Sequence, residues 1–163
     1  MDASVTEKLK QIPLFADIRE NQDYMERLQT ICRATSVPAG KVVIKEGERG
    51  SEMYIMLSGR VEIRRRTRAG DDYTVVKLRA QDNVFFGEMA LIDDDVRSAT
   101  IVATEDSSFL VVTKEDFLEL GDRFPQIALP VTREIAKILA SRLRKTTGDM
   151  LTIFDALVTE LQS

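Results

Sequence analysis

The pattern of apolar and polar positions changes character twice along the chain. In the first third it has helical period. Ser4 and Glu7 have capping-box spacing ahead of a short helix that Pro13 ends. Asp17 is placed to cap a second helix running to about Cys32, with Tyr24, Leu28 and Ile31 along one face. From Ala34 the period shortens. VPAGKVVIKEG, SEMYIMLSGRVEIRRRT, DDYTVVKL and SATIVATEDSSFLVVT are short β-rich runs, separated by Gly40, Gly47, Gly50, Gly59 and Gly70 at roughly regular intervals. Such spacing predicts a sandwich or a small barrel, with Met53, Tyr54 and Met56 in its core.

Helical period returns after Thr113, which forms a second capping box with Asp116 and leads to Gly121 as a natural stop. A long final helix then starts near Pro125 or Pro130 and runs toward Leu161, since proline is tolerated in a first turn. Along it Ala136, Leu139, Leu143, Thr146, Met150, Ile153 and Leu157 recur in alternating steps of three and four, which is a heptad seam. A seam this long has little left to pack on within one chain and reads as a homodimer interface. The alternative is a helix folded back over its own barrel. Gly148 inside this helix costs about 1 kcal/mol relative to alanine, so it is a hinge, a site of close approach or a tolerated defect. Thr146 and Thr147 set hydroxyls on or beside the seam, either to specify register or to reach a ligand.

The 163 residues suit one domain, read as strands and flanking helices over 1–124 with the long helix over 125–163 as part of the same unit. A hydrophobic fraction of 44% with 31% charged residues argues against disorder. The net charge of −4 gives no general attraction to nucleic acid or to an anionic membrane, so an anionic ligand would need local groups to hold it. The sequence holds no run of transmembrane length and no secretory leader, and we expect a cytoplasmic protein. With one cysteine and no histidine, multi-cysteine metal sites, histidine-ligated haem and the usual hydrolase base are excluded. An enzyme, a metal site and a resident cofactor are accordingly not expected. The RRRTR run at 64–68 reads as charge at the exposed end of a hairpin, not as a nucleic-acid patch.

The chemistry concentrates in FGEMALIDDDVRSAT, residues 86–100. Gly87 permits close backbone approach, and EMAL can form one turn of helix whose N–H groups face an anion. Arg97 supplies a planar fork for two anionic oxygens, in bonds of about 1.5–3 kcal/mol each. Glu88 would repel a phosphate, but as an acceptor it suits a ribose 2′-hydroxyl on the same ligand. The competing reading is a buried Glu88–Arg97 ion pair that braces a loop. Asp93, Asp94 and Asp95 lack calcium-loop spacing and read as a solvated connection.

These residues closely resemble the phosphate-binding cassette of the cyclic nucleotide-binding domain family. IPLF at 12–15, VPAGKVVIKEGERG, the MYIMLSGRVEI strand pair and the long helix follow in family order over roughly residues 12–147. The resemblance implies a mainly β, α+β fold, an antiparallel jelly-roll barrel with N-terminal helices and a long C-terminal helix. It assigns Glu88 to the ribose 2′-OH and Arg97 to the cyclic phosphate. Gly87, Met89 and Ala90 go to the turn around sugar and phosphate, and Ser98 to an extra phosphate or base contact. Thr146 and Thr147 fall where relatives carry a hydroxyl pair against the base, from the same chain or from a dimer partner. It implies cAMP as the ligand, with cGMP open, in a regulatory domain that passes occupancy through its final helix to an effector protein. Two departures stand out. LRAQDNVFFGE is longer than the usual proline–glycine–aspartate turn and lacks its glycine, and Val96 replaces the common proline. No helix-turn-helix segment for DNA is evident. A dimeric interaction scaffold with an empty pocket is the competing function.

Overall fold

The computed structural model describes residues 3–66, 72–93 and 96–161. Helix α1 (Ala3–Gln11) ends ahead of Pro13, where Pro13–Phe15 form a 3₁₀ turn. The second helix, α2, spans Gln22–Thr30 and starts later than the sequence pattern suggests. Its cap is Asn21, whose side chain accepts from Tyr24 N–H, not Asp17. The reason is a relay of tight turns: Phe15 N–H donates to Ile12, Ile18 to Phe15 and Asn21 to Ile18, so residues 16–20 are already committed.

Strands β1 (Arg33–Val37), β2 (Val42–Ile44), β3 (Glu52–Ser58), β4 (Arg60–Arg66), β5 (Asp72–Arg79), β6 (Phe85–Phe86), β7 (Thr100–Ala103) and β8 (Ser107–Thr113) follow. Among the described residues they form two antiparallel sheets, ordered β1-β8-β3-β6 and β2-β7-β4-β5. The sheets face one another as a jelly-roll sandwich and do not close into one hydrogen-bonded ring. Strand alternation then divides β3 between two cores. Met56 joins Phe86, Phe109, Val61 and Ile101 inside the sandwich, and Tyr54 stacks on Phe86 at 5.6 Å. Met53 and Ile55 point the other way, with Leu110 and Val112 of β8, onto the helices.

Helix α3 (Lys114–Arg123) carries the expected cap, Thr113 Oγ1 accepting from Asp116 N–H at 3.1 Å. It runs through Gly121 instead of stopping there. A Cβ at Gly121 would stand 3.1 Å from the Ala128 side chain, so this glycine serves close helix packing. Helix α4 is continuous from Pro125 to Leu161, with Pro130 inside it. Ile127, Ala128, Val131 and Ile135 are buried with Leu9, Ile12, Phe15, Met25 and Phe117, which seats the helix on the outer face of the first sheet. Beyond Arg142 α4 leaves the body, and Leu143, Met150, Ile153, Phe154 and Leu157 are all exposed. The fold-back reading holds for the first half of the helix, which packs on the body, and the rest of the seam is bare. A Cβ at Gly148 would meet nothing within 4 Å, so close approach within the chain does not explain that glycine. No helix among the described residues is long and apolar enough to cross a membrane.

Candidate functional site

The site is built where β6 ends. Gly87 adopts φ 77°, ψ 14°, a left-handed conformation that reverses the chain into the 3₁₀ turn Glu88–Leu91. The turn is tighter than an α-helix, with Ala90 N–H donating to Gly87 O at 3.1 Å. Upstream, the glycine-free approach finds another left-handed residue. Asn83 sits at φ 53°, ψ 47°, a conformation asparagine tolerates, and Lys8 Nζ donates to its Oδ1 and to Ala80 O, both at 2.8 Å. Burial lowers the Lys8 pKa from its ordinary value.

Arg97 is held from both sides of its backbone: its N–H donates to Glu48 O and its carbonyl accepts from Gly47 N–H, each at 2.9 Å. Its side chain is 10% exposed, and Nη2 donates to Glu52 O at 2.8 Å and to Glu52 Oε2 at 3.2 Å. Two glycines make the room. A Cβ on Gly50 would lie 2.5 Å from Arg97 Nε, and one on Gly87 would lie 2.9 Å from Nη1. Gly50, which sequence reasoning used only as a turn marker, is therefore part of the guanidinium's slot, as Glu52 is its anchor.

Glu88 is not paired with Arg97. Its side chain is 3% exposed, and Oε1 accepts from Arg142 Nη1 of α4 at 2.5 Å. The loop-bracing pair considered from sequence is thus replaced by a contact between the turn and the final helix. Arg142 went unnoticed in the sequence. The available signal was its place one helical turn before Thr146.

Gly87, Glu88, Met89, Ala90, Arg97, Ser98 and Arg142 line one cavity of about 720 Å³. Ile63, Val76, Leu78 and Val84 give it an apolar lining, and the exposed residues Asp93 and Arg65 line it too. Asp93 is exposed, as a solvated connection should be, and Asp94 and Asp95 lie outside the described residues. So do Thr67 and Arg68 of the basic run; Arg64 pairs with Glu62 at 2.9 Å, and Arg65 Nε donates to Ser98 O at 3.1 Å. Hydrogen bonds from Arg64 and then Lys77 hold Glu62 below its usual carboxylate range. Thr146 and Thr147 are exposed and line no part of the cavity, and Thr147 Oγ1 donates to Leu143 O at 2.9 Å. A smaller cleft of about 360 Å³ between α2, α3 and the start of α4 contains Arg27, Arg123 and Phe124. Its charges are already matched, Arg27 to Asp23 and Arg123 to Glu119.

A buried carboxylate and a largely buried guanidinium in one cavity offer an acceptor for a hydroxyl and, through Arg97 Nη1, a donor for an anion. The family model of the cyclic nucleotide-binding domain matches residues 34–124, which contain every element of that turn. The chain belongs to the cyclic nucleotide-binding domain family. The Cyclic AMP receptor protein of Thermus thermophilus is 37% identical over 108 residues, covering 66% of this chain and 47% of that protein. The cGMP-dependent protein kinase 2 of Homo sapiens is 39% identical over 89 residues, covering 54% of this chain and 12% of the kinase. Among solved structures, the Thermus thermophilus Catabolite Activator Protein superposes with a TM-score of 0.74 at 31% identity, over 85% of this chain and 61% of that one. The chain spans half or less of the length of these two curated relatives.

Proposed function

We propose that this chain is a regulatory domain that binds a 3′,5′-cyclic purine nucleotide and passes its occupancy to α4. The observation that carries this is the joining of Glu88 to Arg142. The acceptor best placed for a ribose hydroxyl is already engaged by the helix that would signal. In this reading Arg97 Nη1, with Nη2 fixed on Glu52, meets the cyclic phosphate beside Gly87 and Ala90. The 2′-OH donates to Glu88 and changes its bond with Arg142, which alters the hold of the body on α4. A ligand shifts the helix only through this difference in interaction between its two positions. The domain binds and releases its ligand without chemical change.

The same reading pairs two chains through the α4 seam. With Leu143, Met150 and Leu157 at a and Thr146 and Ile153 at d, Arg142 is a g position and Thr147 the following e position. In a parallel pair a g residue lies beside the partner's next e residue, which in this reading brings Thr147 of one chain near Arg142 of the other. This gives Thr147 a ligand role across the dimer, while Thr146, at d, stays in the seam. The output is an effector protein that senses α4, and the ligand is cAMP or cGMP.

Calorimetry on nucleotide-stripped protein tests the reading. Saturable heat with a cyclic nucleotide, lost in Arg97→Ala, is expected; no heat with either cAMP or cGMP would overturn it. The bare apolar seam favours a second reading, a dimeric scaffold with an unused pocket. That reading requires a dimer by light scattering together with the silent calorimetry.

A further inference from the structure

Three guanidinium groups line the cavity among the described residues, and the reading above gives work to two. Arg97 takes the phosphate and Arg142 holds Glu88. The third is Arg65, on β4 two residues beyond Ile63, so both side chains face the cavity. Its side chain donates from Nε to Ser98 O at 3.1 Å. That bond tethers the side chain beside Ser98 and leaves its terminal amino groups for another acceptor.

Once the phosphate and the ribose are placed at Arg97 and Glu88, the part of the ligand left for Ile63, Val76, Leu78 and Val84 is the flat purine. These apolar side chains cover a ring face but read none of its edges. Arg65 lines the same cavity and is exposed, so its guanidinium is available to an edge of that ring. A guanidinium only donates. Guanine and hypoxanthine present two adjacent acceptors, O6 and N7, which match it bidentately; adenine presents N7 beside an amino donor, which does not.

We propose that Arg65 is a specificity-determining residue that selects a 6-oxopurine cyclic nucleotide, cGMP, over cAMP. The inference rests on the pocket reading above and chooses between the two bases it leaves open. It also accords with relatives whose names carry both nucleotides.

Nucleotide-stripped full chain is titrated by calorimetry with cGMP, cAMP and cIMP, the last having the 6-oxo group without guanine's 2-amino group. Wild type is expected to bind cGMP and cIMP more tightly than cAMP. Arg65→Ala is expected to weaken both about tenfold and to leave cAMP within about twofold. Arg65 is exposed, so the variant should melt with wild type, and the selectivity ratio is a readout that a structural role would not move. Tighter binding of cAMP by wild type overturns the inference. So does an equal loss of all three in Arg65→Ala, which would place the guanidinium on the phosphate. In both cases the pocket reading stands. If none of the three binds, both fail.

Discussion

At the scale of single residues, the site depends on what surrounds Arg97 as much as on Arg97 itself. Gly50→Ala places a methyl 2.5 Å from Nε, and the neighbour that must yield is a flexible side chain, not backbone. We therefore expect a loss of cyclic nucleotide affinity of about tenfold or more with little change in melting temperature, whereas Arg97→Ala should lose binding nearly completely. Calorimetry beside a thermal melt separates the two. Cys32 gives a test of the folded state. Its Sγ contacts Leu28 O at 3.4 Å, and burial pushes its thiol up to about 12. The folded pKa lies above the unfolded one, so the stability it contributes is full below about pH 8.5 and is lost between there and about 12. Thiol reagents at pH 8 should leave Cys32 unmodified until the protein unfolds, and Cys32→Ala should flatten the alkaline loss of stability. Fast labelling of the native protein would contradict this.

At the scale of elements, the contact between Glu88 and Arg142 couples a four-residue turn to a 37-residue helix. Arg142→Ala leaves a carboxylate with 3% exposure without that partner, at a cost of about 1–3 kcal/mol. Faster amide exchange in residues 136–146 is expected, and unchanged exchange would mean the contact does not restrain α4. The comparison of sequence with structure is clearest at this scale. The FGE turn, Arg97, the Thr113 cap and the length of α4 were legible because each rests on local chemistry: a glycine that must turn, a hydroxyl that caps, a period that repeats. The α2 start differs because the Ile18 carbonyl takes the Asn21 N–H that an Asp17-capped helix would give to Asp17 O, within a relay of tight turns from Ile12. Gly121 misled because a helix stop and a close helix crossing use the same residue. Arg142, Glu52 and Gly50 were hidden because their roles depend on contacts across 54, 45 and 47 positions of chain, which no local pattern encodes.

At the scale of the molecule, two cores share one sheet, and α4 belongs to the outer one only as far as Leu139. Beyond it, Leu143 at 68%, Met150 at 63% and Ile153 at 62% exposure make up a face that an isolated chain leaves in water. Light scattering is expected to give a dimer, and Met150→Glu with Ile153→Glu a monomer with an unchanged β-sheet signal. A wild-type monomer at 100 μM would remove the seam from the mechanism.

The continuity of α4 has a mechanical consequence. From Arg142 to Leu161 the helix is a rod about 28 Å long, anchored at one end beside the ligand cavity. A tilt of about 10° at that anchor carries the tip by about 5 Å, given 1.5 Å of rise per residue. A change at Glu88 too small to disturb the sandwich is thus magnified into a displacement as wide as a side chain. In the proposed reading, the domain reports an occupied cavity at a distance while its own fold hardly moves.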